Sequence, residues 1–365
     1  MPALRSHNAA LVLDLLRTAG EAGVSRLELA DRTGLTRQAV SKITARLREE
    51  GLVADAGRRA STGGKPATVL RLVPSAAYAV GLHLDRDELT AVLLDLAGTP
   101  VAVRRAPLDL GAGAEPVLAA AQAEVAALLA APLPETAPLP ETAPLPEAAP
   151  TPTPAPVLGV GVAMPGPLDH RGGRPGRVTG FPEWDGFPLR EELARRLGLP
   201  VALDKDTNAA ALGLARRPGA PGSFAYVHLG TGLGAGLVLG GAVLRGGRTG
   251  AGELGHQTVQ LDGPRCECGG RGCLEVLCLA ALARGDLAEA ARVLGTGAAN
   301  LVRLLDVDRV LLGGRAVLAA PEVFAHGARE VLAGLGLPVA VETVTGPTAV
   351  ADGAAQLVLA PVFGT

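Results

Sequence analysis

Four residues with metal-ligand chemistry fall close together in this chain: His256, Cys266, Cys268 and Cys273, with nine residues between the histidine and the first cysteine. One Cys3His set is enough to close a tetrahedral shell around a structural zinc ion. Such a shell forces the intervening chain to double back, and it places the bracketing carboxylates Glu253 and Glu275 beside the metal. Cys278 is left outside the set. A C-x-C spacing is a poor start for a disulfide framework in a chain of 365 residues, so a reducing, cytoplasmic setting is expected. Met1–Leu16 carries Arg5, His7 and Asp14 without the apolar core of a signal peptide, so neither a secretory signal nor a membrane partner is expected.

Charge is unevenly distributed. The whole chain is at -2, but residues 1–72 hold 12 Lys and Arg against 7 Asp and Glu, and the rest holds 22 against 29. A basic head on an acidic body points to nucleic acid as a partner of the head alone. The pattern of that head agrees. Leu11, Leu15 and Leu16 suggest a first helix. Ser25 and Glu28 form a capping box for a second. Gly34 supplies the left-handed residue of a tight turn. Thr36 then caps a helix running to about Glu50, with Val40, Ile43 and Leu47 inward. A turn over Gly57–Pro66 and a strand over Ala67–Leu72 complete a winged helix-turn-helix over residues 1–72. Its third helix is expected in the major groove of double-stranded operator DNA. There Thr36, Arg37, Gln38, Ser41 and Lys42 approach the bases, while Arg46, Arg58, Arg59 and Lys65 reach phosphates.

Beyond Tyr78, strands, glycine turns and helices alternate to the C-terminus, the mark of an α/β fold. A long helix is expected over Leu279–Leu304. Residues 132–156 interrupt the alternation: Pro-Leu-Pro-Glu repeats three times from Pro132. Proline at that density sustains neither helix nor ladder, and an inserted, extended loop is expected. The histidines outside the cysteine cluster are expected at surface or satisfied core positions.

Five blocks carry a resemblance over most of 78–365: Met164–Asp169, Asp204–Ala210, Gly230–Gly236, Glu253–His256 with the cysteine cluster, and Gly295–Leu304 leading to Gly313-Gly314. Together they resemble the ROK family of repressors and sugar kinases, and with the N-terminal reader the chain is similar to the family's transcriptional regulators. The resemblance implies a two-lobed, actin-like, sugar-kinase-type domain over 78–365 with sugar in the cleft. It also implies that Asp206, Glu253, His256 and Glu275 contact the sugar. His256 can serve twice, with one ring nitrogen on zinc and the other toward the cleft.

This chain departs from the family pattern at specific places. Kinases of the family wrap ATP phosphates with an Asp-x-Gly-Gly-Thr-Lys turn, whereas this chain has His83-Leu84-Asp85-Arg86-Asp87-Glu88. Side chains replace the glycines, and carboxylates face anionic phosphates, each contact costing on the order of 1 kcal/mol. No kinase activity is expected. Lys205 stands where the family has Asn. It either favours an acidic or phosphorylated sugar or pairs with Asp204 or Asp206. Phe181-Pro182-Glu183-Trp184 lacks the family's Asn, and the stretch from Glu275 to Gly295 is short. The resulting expectation is a sugar-responsive, DNA-binding regulator, a repressor, acting as a homodimer or tetramer. The alternatives are a sugar kinase fused to a DNA reader and a repressor controlled by a protein partner.

Overall fold

The computed structural model describes residues 7–59, 67–131 and 155–364. The chain opens with α1 (His7–Ala19), whose buried residues include Ala9, Val12, Leu13 and Leu16. That i, i+3, i+4, i+7 spacing sets the inner face, so the expected stripe is rotated and Leu11 lies outward, 37% exposed. A short strand β1 (Val24–Ser25) leads into α2 (Arg26–Thr33). The capping box is formed: Glu28 N donates to Ser25 Oγ at 3.3 Å and Ser25 N to Glu28 Oε2 at 2.7 Å. Gly34, at φ +71, turns the chain. α3 (Arg37–Glu49) starts at Thr36, whose Oγ accepts from Ala39 N at 3.2 Å. Its buried face is Val40, Thr44 and Leu47, with Ile43 half-buried. The Thr44 hydroxyl is tolerated inside because it donates to Val40 O at 2.9 Å.

Strands β2 (Val53–Arg59) and β3 (Ala67–Leu72) form the wing hairpin, in a sheet ordered β1-β3-β2. Gly57, Arg58 and Arg59, expected in the turn, instead extend β2 past a register shift between Asp55 and Arg58. Such a shift inserts an extra residue without ending the ladder.

The first lobe begins with β4 (Tyr78–Leu84), β5 (Glu88–Asp95), β6 (Pro100–Pro107) and α4 (Ala114–Ala130), followed by β7 (Val157–Met164). Of the expected insert, 132–154 lie outside the described residues. α4 before it and β7 after it pack in one core. A small ribbon of β8 (Leu168–Asp169) and β9 (Arg174–Pro175) precedes α5 (Leu189–Leu197) and β10 (Val201–Lys205). The lobe's sheet runs β10-β7-β4-β5-β6, parallel across the first three strands and antiparallel beyond.

α6 (Asp206–Ala215) crosses to the second lobe: β11 (Phe224–Leu229), β12 (Leu233–Leu239), β13 (Ala242–Val243), α7 (Leu274–Ala283), α8 (Leu287–Leu305), β14 (Arg309–Gly313), α9 (Arg315–Ala319), α10 (Pro321–Gly334) and β15 (Ala340–Thr343). Its sheet runs β13-β12-β11-β14-β15. The single helix expected over Leu279–Leu304 is two. Gly285, at φ +74, breaks it, and Asp286 caps α8 by accepting from Glu289 N at 3.0 Å. Helix α11 (Ala349–Leu359) returns to the first lobe. Among the described residues no helix is long and apolar enough to cross a membrane.

Two features of the packing position the site. Val12, Leu13, Leu16 and Leu47 of the N-terminal unit share one continuous core with Val92 and Leu94 of β5, Leu359 of α11 and Phe363. And α11 lies directly on backbone: a Cβ at Gly81 or Gly161 would strike the carbonyls of Ala351 or Ala354, and one at Gly353 that of Ala209 in α6. Gly161→Ala should therefore cost about 1–3 kcal/mol or more, read as a lowered urea midpoint at unchanged slope. A midpoint equal to that of the unsubstituted chain would mean that α11 can yield.

Candidate functional site

Between the lobes lies a cleft of about 570 Å³, including solvent at its mouth. All five residues expected at the sugar (Lys205, Asp206, Glu253, His256 and Glu275) line it, so the structure brings them together. Each is delivered by a chain end. Asp206 is the first residue of α6, immediately after β10. Glu253 precedes and His256 closes a single turn at Leu254–His256, and Glu275 sits in the first turn of α7.

The carboxylates are differently held. Glu275 Oε2 accepts from Leu233 N at 2.8 Å, and Asp206 Oδ1 from Thr207 N at 2.6 Å. Burial is the main force on Asp206 and pushes its carboxyl up to about 7. Asp85 and Glu253 act in the same direction, against the Thr207 N–H and Lys205.

Lys205 does not pair with either neighbouring aspartate. Its side chain, 3% exposed, places Nζ 2.6 Å from Ala251 O and 2.9 Å from Glu253 Oε1. Asp204 is taken by Arg245 at 2.6 Å and by Asn208 at 3.0 Å. A strand alternates faces, so adjacent residues at the end of β10 point apart. The ammonium therefore serves the loop opposite, where it fixes Glu253.

The four sulfur and nitrogen ligands also converge. Their ligand atoms all lie within 4.8 Å of one another. Cys266 Sγ is 3.8 Å from His256 Nδ1, and Cys268 Sγ is 3.7 Å from Cys273 Sγ. A tetrahedron with metal–sulfur bonds of about 2.3 Å has edges of about 3.8 Å, so the donor set fits a tetrahedral cation. With Nδ1 turned to the thiols, the ring's other nitrogen is left for the cleft that His256 lines. Cys278 is apart, buried on α7, with its thiol donating to Ala290 O at 3.5 Å.

At the cleft the turn after β4 is tied to the second lobe. Thr231 Oγ1 donates to Asp85 Oδ1 at 2.9 Å, and Arg315 Nη2 to Asp87 Oδ2 at 2.9 Å. His83 and His228 stand behind them, and burial lowers both imidazoles, His228 to about 4. His228 bonds Tyr226 Oη at 3.0 Å, whereas His83 Nε2 is buried without a partner. The expectation that stray histidines are surface or satisfied core residues fails at His83, whose Nε2 has no partner, while His228, bonded to Tyr226, also lines the cleft. Sequence reasoning also missed Arg86, Thr179 and Gly166 as lining residues. Arg86 was already conspicuous as a guanidinium in place of a glycine; it lies 5.6 Å over the Phe181 ring.

On the N-terminal unit, Thr36, Arg37, Gln38, Ser41, Lys42 and Arg46 are all exposed along α3. Arg46 also pairs with Glu50 at 3.2 Å. Arg58 and Arg59 lie on β2. Lys65 lies outside the described residues.

The Asp206 proton has a measurable consequence. Its folded-state pKa lies above the unfolded value of about 4. Its contribution to stability is thus complete below about pH 4 and is lost as pH rises through about 7. Asp206→Asn, with no charge to acquire, should gain on the unsubstituted chain across that window, read as the difference in Tm between matched samples. A difference independent of pH would contradict the burial argument.

Comparison with known proteins places this geometry. A ROK family model matches residues 149–284 and a MarR family model residues 6–60. The xylose repressor of Caldicellulosiruptor bescii is 26% identical over 352 residues, covering 85% of this chain and 83% of that protein. Among solved structures, a ROK family transcriptional regulator, a homolog of the E. coli MLC protein, superposes with a TM-score of 0.73 at 22% identity, covering 98% of this chain and 97% of that one. The ROK hexokinase of Thermus thermophilus superposes with a TM-score of 0.57 at 30% identity, covering 76% of this chain and 96% of that one. With its helix-turn-helix segment ahead of a two-lobed, sugar-kinase-like α/β domain, the chain belongs to the ROK family.

Proposed function

We infer that the protein is a DNA-binding transcriptional regulator, a repressor, whose cleft takes a sugar effector and does not phosphorylate it. One observation carries this reading. An exposed helix bearing Arg37, Gln38, Ser41 and Lys42 belongs to a unit whose apolar core continues into the two-lobed domain that bears the cleft. A reader packed in this way moves with the lobe beneath it. The repressor relatives favour the same reading.

The cleft chemistry suits a polyhydroxy ligand. Asp206, Glu253 and Glu275 can accept hydrogen bonds from vicinal hydroxyls, and His256 adds a ring nitrogen of fixed orientation. Lys205, already engaged by Glu253 and Ala251, offers little to an acidic or phosphorylated group. The absence of kinase activity is favoured by the mouth of the cleft. Asp85 and Asp87 occupy the turn where nucleotide phosphates are cradled in kinases, and both are tied to the second lobe. Anionic phosphates would meet two carboxylates and displace two existing bonds.

A structural zinc held by His256, Cys266, Cys268 and Cys273 completes the reading. The ion would join the turn carrying Glu253 to the start of α7 carrying Glu275, so it would order the sugar-side carboxylates without touching the ligand. As two copies of a helix-turn-helix reader recognise paired half-sites, a homodimer or tetramer on operator DNA follows.

The test is selection of genomic fragments by the purified full-length protein, repeated with D-xylose, D-glucose and N-acetyl-D-glucosamine. A discrete operator released by one of them is expected. Operator affinity should fall steeply with salt, and Arg37→Ala or Lys42→Ala should weaken it by about tenfold. A salt-insensitive interaction, or ATP turnover with a hexose at enzyme-like rates, would sink the reading. Chelation or Cys268→Ser should lower Tm by about 5 °C or more and abolish sugar binding together; metal analysis should return one zinc per chain.

A further inference from the structure

We propose that α6 is the rod through which the cleft governs the DNA reader, and that Asp14 and Arg216 are the positioning pair at its far end. The proposal rests on the function inferred above. It begins from the two ends of one helix. The N-terminal residue of α6 is Asp206, in the cleft. Its C-cap is Arg216, about 15 Å away at 1.5 Å per residue, and Arg216 touches the reader.

The contact is specific. Asp14 Oδ1 on α1 accepts from Arg216 Nη2 at 2.9 Å and from Arg17 Nη2 at 2.8 Å. Arg17 Nη1 in turn donates to the Arg216 carbonyl at 3.4 Å, and its guanidinium lies 5.2 Å over the Phe363 ring. The Arg17 and Arg216 side chains are only 13% and 15% exposed. A shared carboxylate between two partly buried guanidinium groups is geometrically demanding, unlike an isolated surface pair.

The joint therefore sits where two bodies meet under α1. Its apolar face rests on the first lobe, through Leu359, Val362 and Phe363. Its polar edge rests on α6, which also lies against the second lobe: a Cβ at Gly236 of β12 would strike the Thr207 carbonyl. α6 meets α11 through Gly213 and Gly353. Glycine and alanine make the closest approach there, beside Leu214 and Val350, and a small sliding of one helix on the other is the geometry of a shear motion. A ligand that draws on Asp206 shifts α6 against α11. The shift arrives at α1 through Asp14 and Arg216, because the apolar foothold stays with the first lobe.

The test uses the full-length chain with Asp206→Asn as a sugar-independent perturbation of the cleft. Amide exchange is followed in residues 7–19. Asp206→Asn should change exchange there by about fivefold. The change should vanish in an Arg216→Ala background and persist with Arg216→Lys. Asp14→Asn replaces Arg216→Ala if the latter melts the reader. No change from Asp206→Asn alone, or an equal change with and without the joint, overturns the proposal. A second readout uses D-xylose and D-glucose. Arg216→Ala should leave calorimetric sugar affinity within about twofold while reducing sugar-driven operator release by about fivefold. Undiminished release overturns the proposal. If no sugar binds and no operator is selected, the functional reading falls, and the exchange measurement still decides whether α6 couples cleft to reader.

Discussion

Everything in this molecule hangs on how closely α6 and α11 approach the sheets and each other. Gly81, Gly161, Gly213, Gly236 and Gly353 remove the side chains that would hold the backbones apart. The consequence is mechanical as well as energetic. Interdigitated side chains resist sliding, because every displacement must pass through overpacked states. A backbone-on-backbone contact lined by alanine and glycine has lower ridges. On the proposed reading the lobes are held tightly in the direction of approach and yield along the helices. That anisotropy is what a cleft needs if it is to close on a small ligand without losing its core.

The cysteine cluster solves a different problem. Glu253 and His256 sit on a single turn, too short to position itself by regular hydrogen bonding, whereas Glu275 sits in the first turn of α7. A cation held by the four converging ligand atoms would cross-link the two segments, as proposed. Lys205 provides a second brace on the same loop, from the opposite side: buried on β10, it spans to Ala251 and Glu253. An ammonium so placed would be costly alone in a nearly dry site. Its two oxygen partners, Ala251 O and Glu253 Oε1, offset that cost.

Much of this was legible in the amino-acid order. The capping box at Ser25, the left-handed Gly34 and the Thr36 cap are local and were readable as such. The Cys3His spacing and the Asp206, Glu253 and Glu275 blocks foretold the composition of the cleft. What escaped is largely non-local. The face of α1 was misread because Ala9 buries as well as leucine, while Leu11 does not. The partner of Lys205 is separated by 48 residues, and no strand-end reading reaches that far. The break lies at Arg284-Gly285-Asp286, a local turn signal that the longer helical run outweighed. The tie between Asp85 and Thr231 joins turns of different lobes, and Asp14 meets Arg216 across 202 residues. Spacing arguments see neither.

The ties at the cleft mouth bear on why a sugar-kinase architecture should be put to sensing. A kinase must keep its two phosphate turns apart to admit a nucleotide, and binding energy is then divided between two substrates. Here Asp85 to Thr231 joins those turns directly and Asp87 to Arg315 ties the first of them to the start of α9, with burial lowering the His83 and His228 imidazoles behind them. If the lobes move, as proposed, the joined mouth would act as a pivot and the motion would be largest toward Asp206, Glu253 and the cysteine loop. On the proposed reading, the free energy a sugar releases on binding there is not divided with a nucleotide. It is available to shift one packed helix against another, and only a ligand that binds one arrangement better than the other can produce that shift.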